Sequence, residues 1–137
     1  PDGNKRRRRR RVILGLGSDL IEIARVEKAA REERFLARTF TEEERRQSGG
    51  NVAFLAGCFA VKEAVVKCFG TGFRGIEPAE IEVLRDELGK PYVRLSGAAA
   101  AYCAALGGQT PLVSISDTRT HVMAIAVLER EDGGETK

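Results

Sequence analysis

Glu63 and Lys67 stand four residues apart in FLAGCFAVKEAVVKCFGTG, residues 54–72, where almost everything else is apolar or small. On a helix that spacing puts a carboxylate and an ammonium on one face. Two readings are open. An exposed Glu-to-Lys pair contributes only about 0.3 kcal/mol and needs no function. In the other reading the carboxylate binds a metal and the ammonium a phosphate. Asp19, just past the apolar run of residues 12–17, is a second acid available for such a site. Mg²⁺ is commonly held by one or two carboxylates, with substrate phosphates and waters completing its shell. Two acids beside lysines would suit phosphoryl-type transfer, where positioning and charge neutralisation supply most of the acceleration. Asp19 also has a local reading, since with Glu22 it makes an acidic variant of a capping box before a helix.

Other chemistries find little support. His121 is the one histidine, which excludes a metal site built on several. A Ser-His-Asp triad would need that histidine and has no GxSxG around any serine. There is no GxxxxGK[ST] loop, and Gly15-Leu16-Gly17 lacks the third glycine of a dinucleotide fingerprint. Cys58, Cys68 and Cys103 are odd in number and have no CxxC spacing, so they read as small buried hydrophobes in a reducing cytoplasm.

The elements that must carry these residues follow from periodicity and punctuation. Residues 12–17 read as a buried strand, followed by a helix over residues 20–33. Thr41-Glu42-Glu43-Glu44 is a capping box for a short helix that ends at Ser48-Gly49-Gly50. Asn51 begins the central helix and Gly70 stops it. Residues 81–84 and 92–95 make a hairpin around Asp86–Pro91, and Ser96 caps an alanine-rich helix that stops at Gly107-Gly108. Residues 112–116 and 122–128 are two further strands. The order β-α-α-α-β-β-α-β-β predicts an α+β domain with a mainly antiparallel sheet and a long central helix.

With 137 residues and 42% hydrophobic content, the chain can build one domain with a proper core. No apolar run approaches the ~20 residues of a membrane span, and no signal-peptide pattern appears, so no membrane partner is expected. The net charge of +3 is misleading. Of 23 basic and 20 acidic residues, seven basic and one acidic lie in the first eleven, leaving 16 against 19. Residues 1–10 therefore read as a disordered basic tail, 11–129 as the domain and 130–137 as a polar tail. The arginine run could tether an anionic surface, but a solvated tail is the simpler reading and no nucleic acid is expected. A start at Pro1 without methionine fits a processed or engineered end.

Several ordered segments together resemble the holo-acyl-carrier-protein synthase family of 4′-phosphopantetheinyl transferases. Gly15-Leu16-Gly17-Ser18-Asp19-Leu20 with Glu22-Ile23-Ala24-Arg25-Val26 is similar to its opening, and Arg34 through Glu44 to its next block. Phe59-Ala60-Val61-Lys62-Glu63-Ala64-Val65-Val66-Lys67 with Gly70-Thr71-Gly72 resembles its most diagnostic segment. Gly89-Lys90-Pro91 and Val113-Ser114-Ile115-Ser116 also fall in order, so the likeness spans residues 11–129. It implies transfer of the phosphopantetheine arm of coenzyme A to a serine of apo acyl carrier protein, releasing adenosine 3′,5′-bisphosphate. By position, Asp19 and Glu63 would bind Mg²⁺ and Lys67 would face the diphosphate. Glu63, or a water held by the metal, would take the serine proton. Lys62 and Gly70 would lie near the nucleotide and Pro91 by the adenine. The resemblance also implies a homotrimer with sites between subunits.

Arg25, Arg31 and Arg34, assigned to the first helix, suggest a docking face for an acidic carrier protein. Two positions depart from the family, which commonly has an arginine at Cys58 and a histidine at Asp117. Both are associated there with gripping coenzyme A, so a compensating cation is expected, with Arg74, Arg119 or His121 as candidates. The rival readings are a nucleic-acid-binding accessory domain using the arginine tail and a carrier-protein-binding scaffold without transferase activity.

Overall fold

The computed structural model describes residues 10–132, and its organisation turns on how closely one strand lies against one helix. The strand is β1, Arg10–Glu22, and the helix is α4, Val52–Phe69. A Cβ added at Gly17 would stand 1.9 Å from the Ala64 carbonyl oxygen, and one at Gly15 would stand 2.3 Å from that of Cys68. Only glycine lets the backbones come this near. Along β1, Gly15, Gly17, Asp19 and Ile21 alternate with the outward-facing Leu16, Ser18, Leu20 and Glu22.

α4 begins and ends where its punctuation predicts. Asn51 Oδ1 accepts the N–H groups of Ala53 at 2.8 Å and Phe54 at 3.1 Å. Gly70, at φ 79°, closes the helix in the left-handed region. The helix is enclosed around most of its circumference, with Ala56, Ala60 and Ala64 letting neighbours approach. This is the burial pattern of a helix that runs through a core rather than over it.

Strand β1 pairs antiparallel with β5, His121–Asp132, which pairs antiparallel with β4, Leu112–Asp117. β2, Ile81–Arg85, and β3, Pro91–Leu95, form the predicted hairpin as a separate two-stranded sheet. The α+β class with antiparallel sheets is therefore realised. The three-stranded sheet presents Val122, Ala124, Ala126 and Leu128 to the core, all fully buried.

Three local expectations are corrected. β1 runs on to Glu22, where it pairs with His121, so Asp19 sits in a strand and caps no helix. The ladder with β5 satisfies the backbone that a cap would otherwise have served. The single helix predicted over residues 20–33 is two, α1 at Ile23–Ala29 and α2 at Glu33–Thr39. The apolar stripe breaks after Ala30, and the chain turns so that Phe35 meets Phe40 edge-on at 5.8 Å. With α3 at Glu42–Ser48, four helices rather than three separate β1 from β2, and a 3₁₀ turn at Pro78–Glu80 follows α4. Finally, Ser96 makes no side-chain cap for α5, Gly97–Ala105. Glu80 does that work instead, its Oε1 accepting the Ala99 N–H at 3.2 Å.

The capping box at Thr41 is present as predicted, with Thr41 Oγ1 and Glu44 Oε1 satisfying each other's backbone N–H groups. The basic-tail reading of residues 1–9 and the polar-tail reading of 133–137 lie outside the described residues. Arg10 and residues 130–132 belong to strands β1 and β5. Among the described residues no helix is long and apolar enough to cross a membrane.

Candidate active site

The approach of β1 to α4 sets the geometry of the acids. Gly17 rests on Ala64, and Asp19, two residues further on the same face of the strand, arrives beside the next turns of the helix. There Lys67 Nζ donates to Asp19 Oδ1 at 3.3 Å and to the Ser18 carbonyl at 2.9 Å. Glu63 lies close enough to Asp19 for the two charges to oppose each other. Burial, then the Asp19 carboxylate, hold its carboxyl above the ordinary glutamate range, with Lys67 pulling the other way. Asp19, Glu63 and Lys67 line one cleft of about 370 Å³, with Phe35 and Phe59 as apolar wall and Arg25 at its side.

The second oxygen of Asp19 decides what this arrangement can hold. Oδ2 is buried and has no hydrogen-bond partner. A buried carboxylate oxygen left unpaired costs about 1–3 kcal/mol or more, so an unfilled acceptor of this kind points to a ligand. Two like-charged carboxylates facing one cleft, one with an orphaned oxygen, form a donor set for a hard divalent cation. No cluster of three or more metal-ligating residues exists among the described residues, so substrate oxygens or water would complete the shell.

The remaining predicted site residues fall elsewhere. Lys62 is corrected outright: it is fully buried, and its ammonium is occupied. Its Nζ donates to Glu44 Oε1 at 3.0 Å and Oε2 at 2.8 Å, to the Ile81 carbonyl at 2.6 Å and to the Pro78 carbonyl at 3.0 Å. Three N–H donors facing four acceptors leave nothing for a nucleotide. Glu44 Oε2 also accepts the Val83 N–H at 2.6 Å, so the pair ties α3, α4 and β2 together. Gly70 is the left-handed stop after the Lys67 turn. Pro91 lies in a different groove of about 390 Å³, beside Phe54, Gly57, Arg85 and Asp117.

Arg25, Arg31 and Arg34 are all exposed and make no ion pair among the described residues. They sit on α1, in the turn after it, and on α2 respectively, not on one helix. Cys58 is fully buried, with Sγ 3.6 Å from the Val83 carbonyl, and burial pushes its thiol up to about 12. None of Arg74, Arg119 and His121 lines the Pro91 groove; its cation is Arg85, which the sequence reading passed over. Arg85 carries no motif. The available hint was its place at the end of a strand leading into the Gly89-Lys90-Pro91 turn.

Known proteins of one family resemble this chain in sequence and in fold. The sequence profile of the 4′-phosphopantetheinyl transferase superfamily matches residues 15–126. A protein named holo-[acyl-carrier-protein] synthase from Lachnoclostridium phytofermentans is 48% identical over 118 residues, covering 86% of this chain and 97% of that protein. The crystal structure of holo-[acyl-carrier-protein] synthase from Neisseria meningitidis superposes with a TM-score of 0.80 at 33% identity, covering 87% of this chain and all of that one. A holo-(acyl-carrier-protein) synthase from Bacillus anthracis, solved in complex with CoA (3′,5′-ADP), gives a TM-score of 0.72 at 35% identity, covering 86% and 97%.

Proposed function

Since the chain belongs to the 4′-phosphopantetheinyl transferase superfamily, we propose that it moves 4′-phosphopantetheine from coenzyme A to a serine of apo acyl carrier protein. The products are holo acyl carrier protein and adenosine 3′,5′-bisphosphate. The observation that carries this reading is the meeting of Asp19, Glu63 and Lys67 in one cleft, with Asp19 Oδ2 buried and unpartnered.

Asp19 and Glu63 are the residues that would hold Mg²⁺, and the ion would supply charge neutralisation at the diphosphate of coenzyme A. In the transfer, the serine Oγ forms a bond to the phosphorus next to the pantetheine arm. The bond from that phosphorus to the oxygen of the adenosine bisphosphate breaks. Glu63, or a water held beside it, accepts the serine proton. Lys67, half-exposed and already aimed at Asp19, offsets the charge that develops on the leaving phosphate. Gly70 lets the chain turn beside Lys67 for the nucleotide to approach, and Pro91 offers an apolar wall for the adenine.

The test is the intact mass of an apo acyl carrier protein incubated with coenzyme A and Mg²⁺. One phosphopantetheine of added mass is expected, abolished by a chelator. Asp19→Asn and Glu63→Gln should each slow it by about 10²-fold or more while leaving the circular-dichroism spectrum unchanged. Binding of the carrier protein without any mass gain would leave only a scaffold.

Two further parts of the reading rest on surface chemistry. Arg25 beside the cleft, with the exposed Arg31 and Arg34 in the turn and helix that follow, forms the docking face for the acidic carrier protein. Arg25→Glu should raise the carrier protein's KM, leave that of coenzyme A alone, and flatten the salt dependence; an equal loss for coenzyme A would move the docking face elsewhere. The outer face of the three-stranded sheet supports a homotrimer, because Leu16 and Leu20 stand 65% and 67% exposed there. Three free, buried cysteines suit a reducing cytoplasm.

A further inference from the structure

Arg85 is an unneutralised charge held in a fixed pose. Gln47 clamps its backbone on both sides, accepting the Arg85 N–H at 2.9 Å and donating to the Arg85 carbonyl at 3.0 Å. The side chain lies over the Phe54 ring, with Cζ 4.4 Å from the centroid. Its Nη2 rests against α4 at Gly57, where an added Cβ would be only 3.0 Å away. The absence of a side chain at Gly57 is what makes room for the guanidinium. Nε is buried and has no acceptor. Unlike Arg11, Arg45, Arg46, Arg94 and Arg130, Arg85 has no carboxylate partner among the described residues. An arginine that is stacked, oriented and unpaired is prepared for an oxyanion, because its planar fork matches the oxygens of a phosphate.

The groove it lines agrees with that chemistry. Phe54 and Pro91 provide apolar walls, and Asp117 is the one acid along it. An aspartate repels phosphate, so an anion entering the groove is directed to the Arg85 side. Cys58, buried and neutral, provides no charge of its own. The Asp19–Glu63–Lys67 cleft shares no lining residue with this groove, so a coenzyme A that reaches both would take the cleft of one copy and the groove of another, as in the trimer proposed above.

We propose that Arg85 is the residue with which this chain binds the ribose 3′-phosphate of coenzyme A, in place of the guanidinium missing at Cys58. The assignment rests on the transferase reading above, in which the diphosphate belongs to the acids and Lys67. The 3′-phosphate is the nucleotide's other anionic group, and Arg85 is the unpaired, oriented cation of the groove that also holds Pro91.

Calorimetric titrations with coenzyme A and with 3′-dephospho-coenzyme A test it, on the full chain with Mg²⁺. The unsubstituted protein should prefer coenzyme A by about ten-fold or more. Arg85→Ala should bring the ratio near one by weakening coenzyme A alone, and Arg85→Lys, keeping the charge without the fork, should give an intermediate ratio. Arg119→Ala, outside the groove, should keep the full preference. Because each preparation is measured against both ligands, partial loss of folding cancels from the ratio; if Arg85→Ala does not fold, Arg85→Lys carries the comparison. Equal affinity for both ligands in the unsubstituted protein, or full preference in either Arg85 variant, would overturn the proposal. If phosphopantetheine still reached the carrier protein in that case, the transferase reading would stand without it.

Discussion

Glu63 is asked to hold two incompatible properties, and the conflict is measurable. Its carboxyl is raised above the ordinary value of 4.5 by burial and by Asp19, so its ionised form is disfavoured in the folded chain. The folded state therefore binds this proton more tightly than the unfolded state. That contribution to stability is fully present below the unfolded value and is lost as pH rises through the folded one. Glu63→Gln should accordingly raise the melting temperature of the metal-free protein near pH 7, with the gain shrinking as pH falls toward 4.5. The same variant should be nearly inactive. Melting curves in chelator across this range decide the matter, and a neutral-pH melting temperature at or below that of the unsubstituted chain would remove the like-charge account of the site.

At the scale of elements, the contact between β1 and α4 positions the chemistry. Gly15 and Gly17 act by what they lack. A methyl group at Gly17 would meet the Ala64 carbonyl at 1.9 Å, and that obstacle is backbone, which cannot swing aside. Gly17→Ala should cost about 3 kcal/mol or more in urea unfolding, at the upper end of overpacking penalties. The surviving folded protein should transfer poorly, since the strand must lift and carry Asp19 from Lys67. Unchanged stability would mean that the strand and helix do not touch this closely. The fully buried Lys62–Glu44 pair works alongside this contact, joining α3, α4 and the start of the hairpin. Removing one partner of such a pair typically costs ~3–5 kcal/mol, which suits a joint and not a ligand-binding group.

At the scale of the whole molecule, one sheet face is left uncovered among the described residues. Leu16, Leu20 and Leu112 are 65%, 67% and 59% exposed, and Met123 and Ile125 stand 37% and 39% exposed on the strand between. A contiguous apolar face of this kind on a small domain suits burial against copies of itself. Ile125 pairs across the sheet with Ser18 and Ser114, near the middle of the face. Ile125→Glu should convert a trimer to monomers at micromolar concentration by light scattering, with melting at lower temperature and reduced transfer. A monomeric unsubstituted protein in the same measurement would end the trimer proposal.

Much of this was legible from the chain alone, and the reason is range. The capping box at Thr41, the Asn51 cap and the Gly70 stop are local chemistry, complete within four residues, and each stands where its residues predict. The hairpin of β2 and β3 is equally local. Asp19, Glu63 and Lys67 could be singled out because acids and lysines beside apolar segments are conspicuous, and the family resemblance joined them. Tertiary structure decided what depends on distant partners. β1 continues through Asp19 because β5, more than a hundred residues later, pairs with it, while glycine, being without hydropathy, hid the strand's alternation. Lys62 and Glu63 are adjacent charges in one helix, yet one meets Glu44 and the start of the 3₁₀ turn in the core while the other faces the cleft. The same distinction separates Arg85 from the other arginines, since an unpaired guanidinium is defined by the carboxylates that fail to reach it. Sequence spacing sets which side chains share a face; burial and pairing set what each is free to bind.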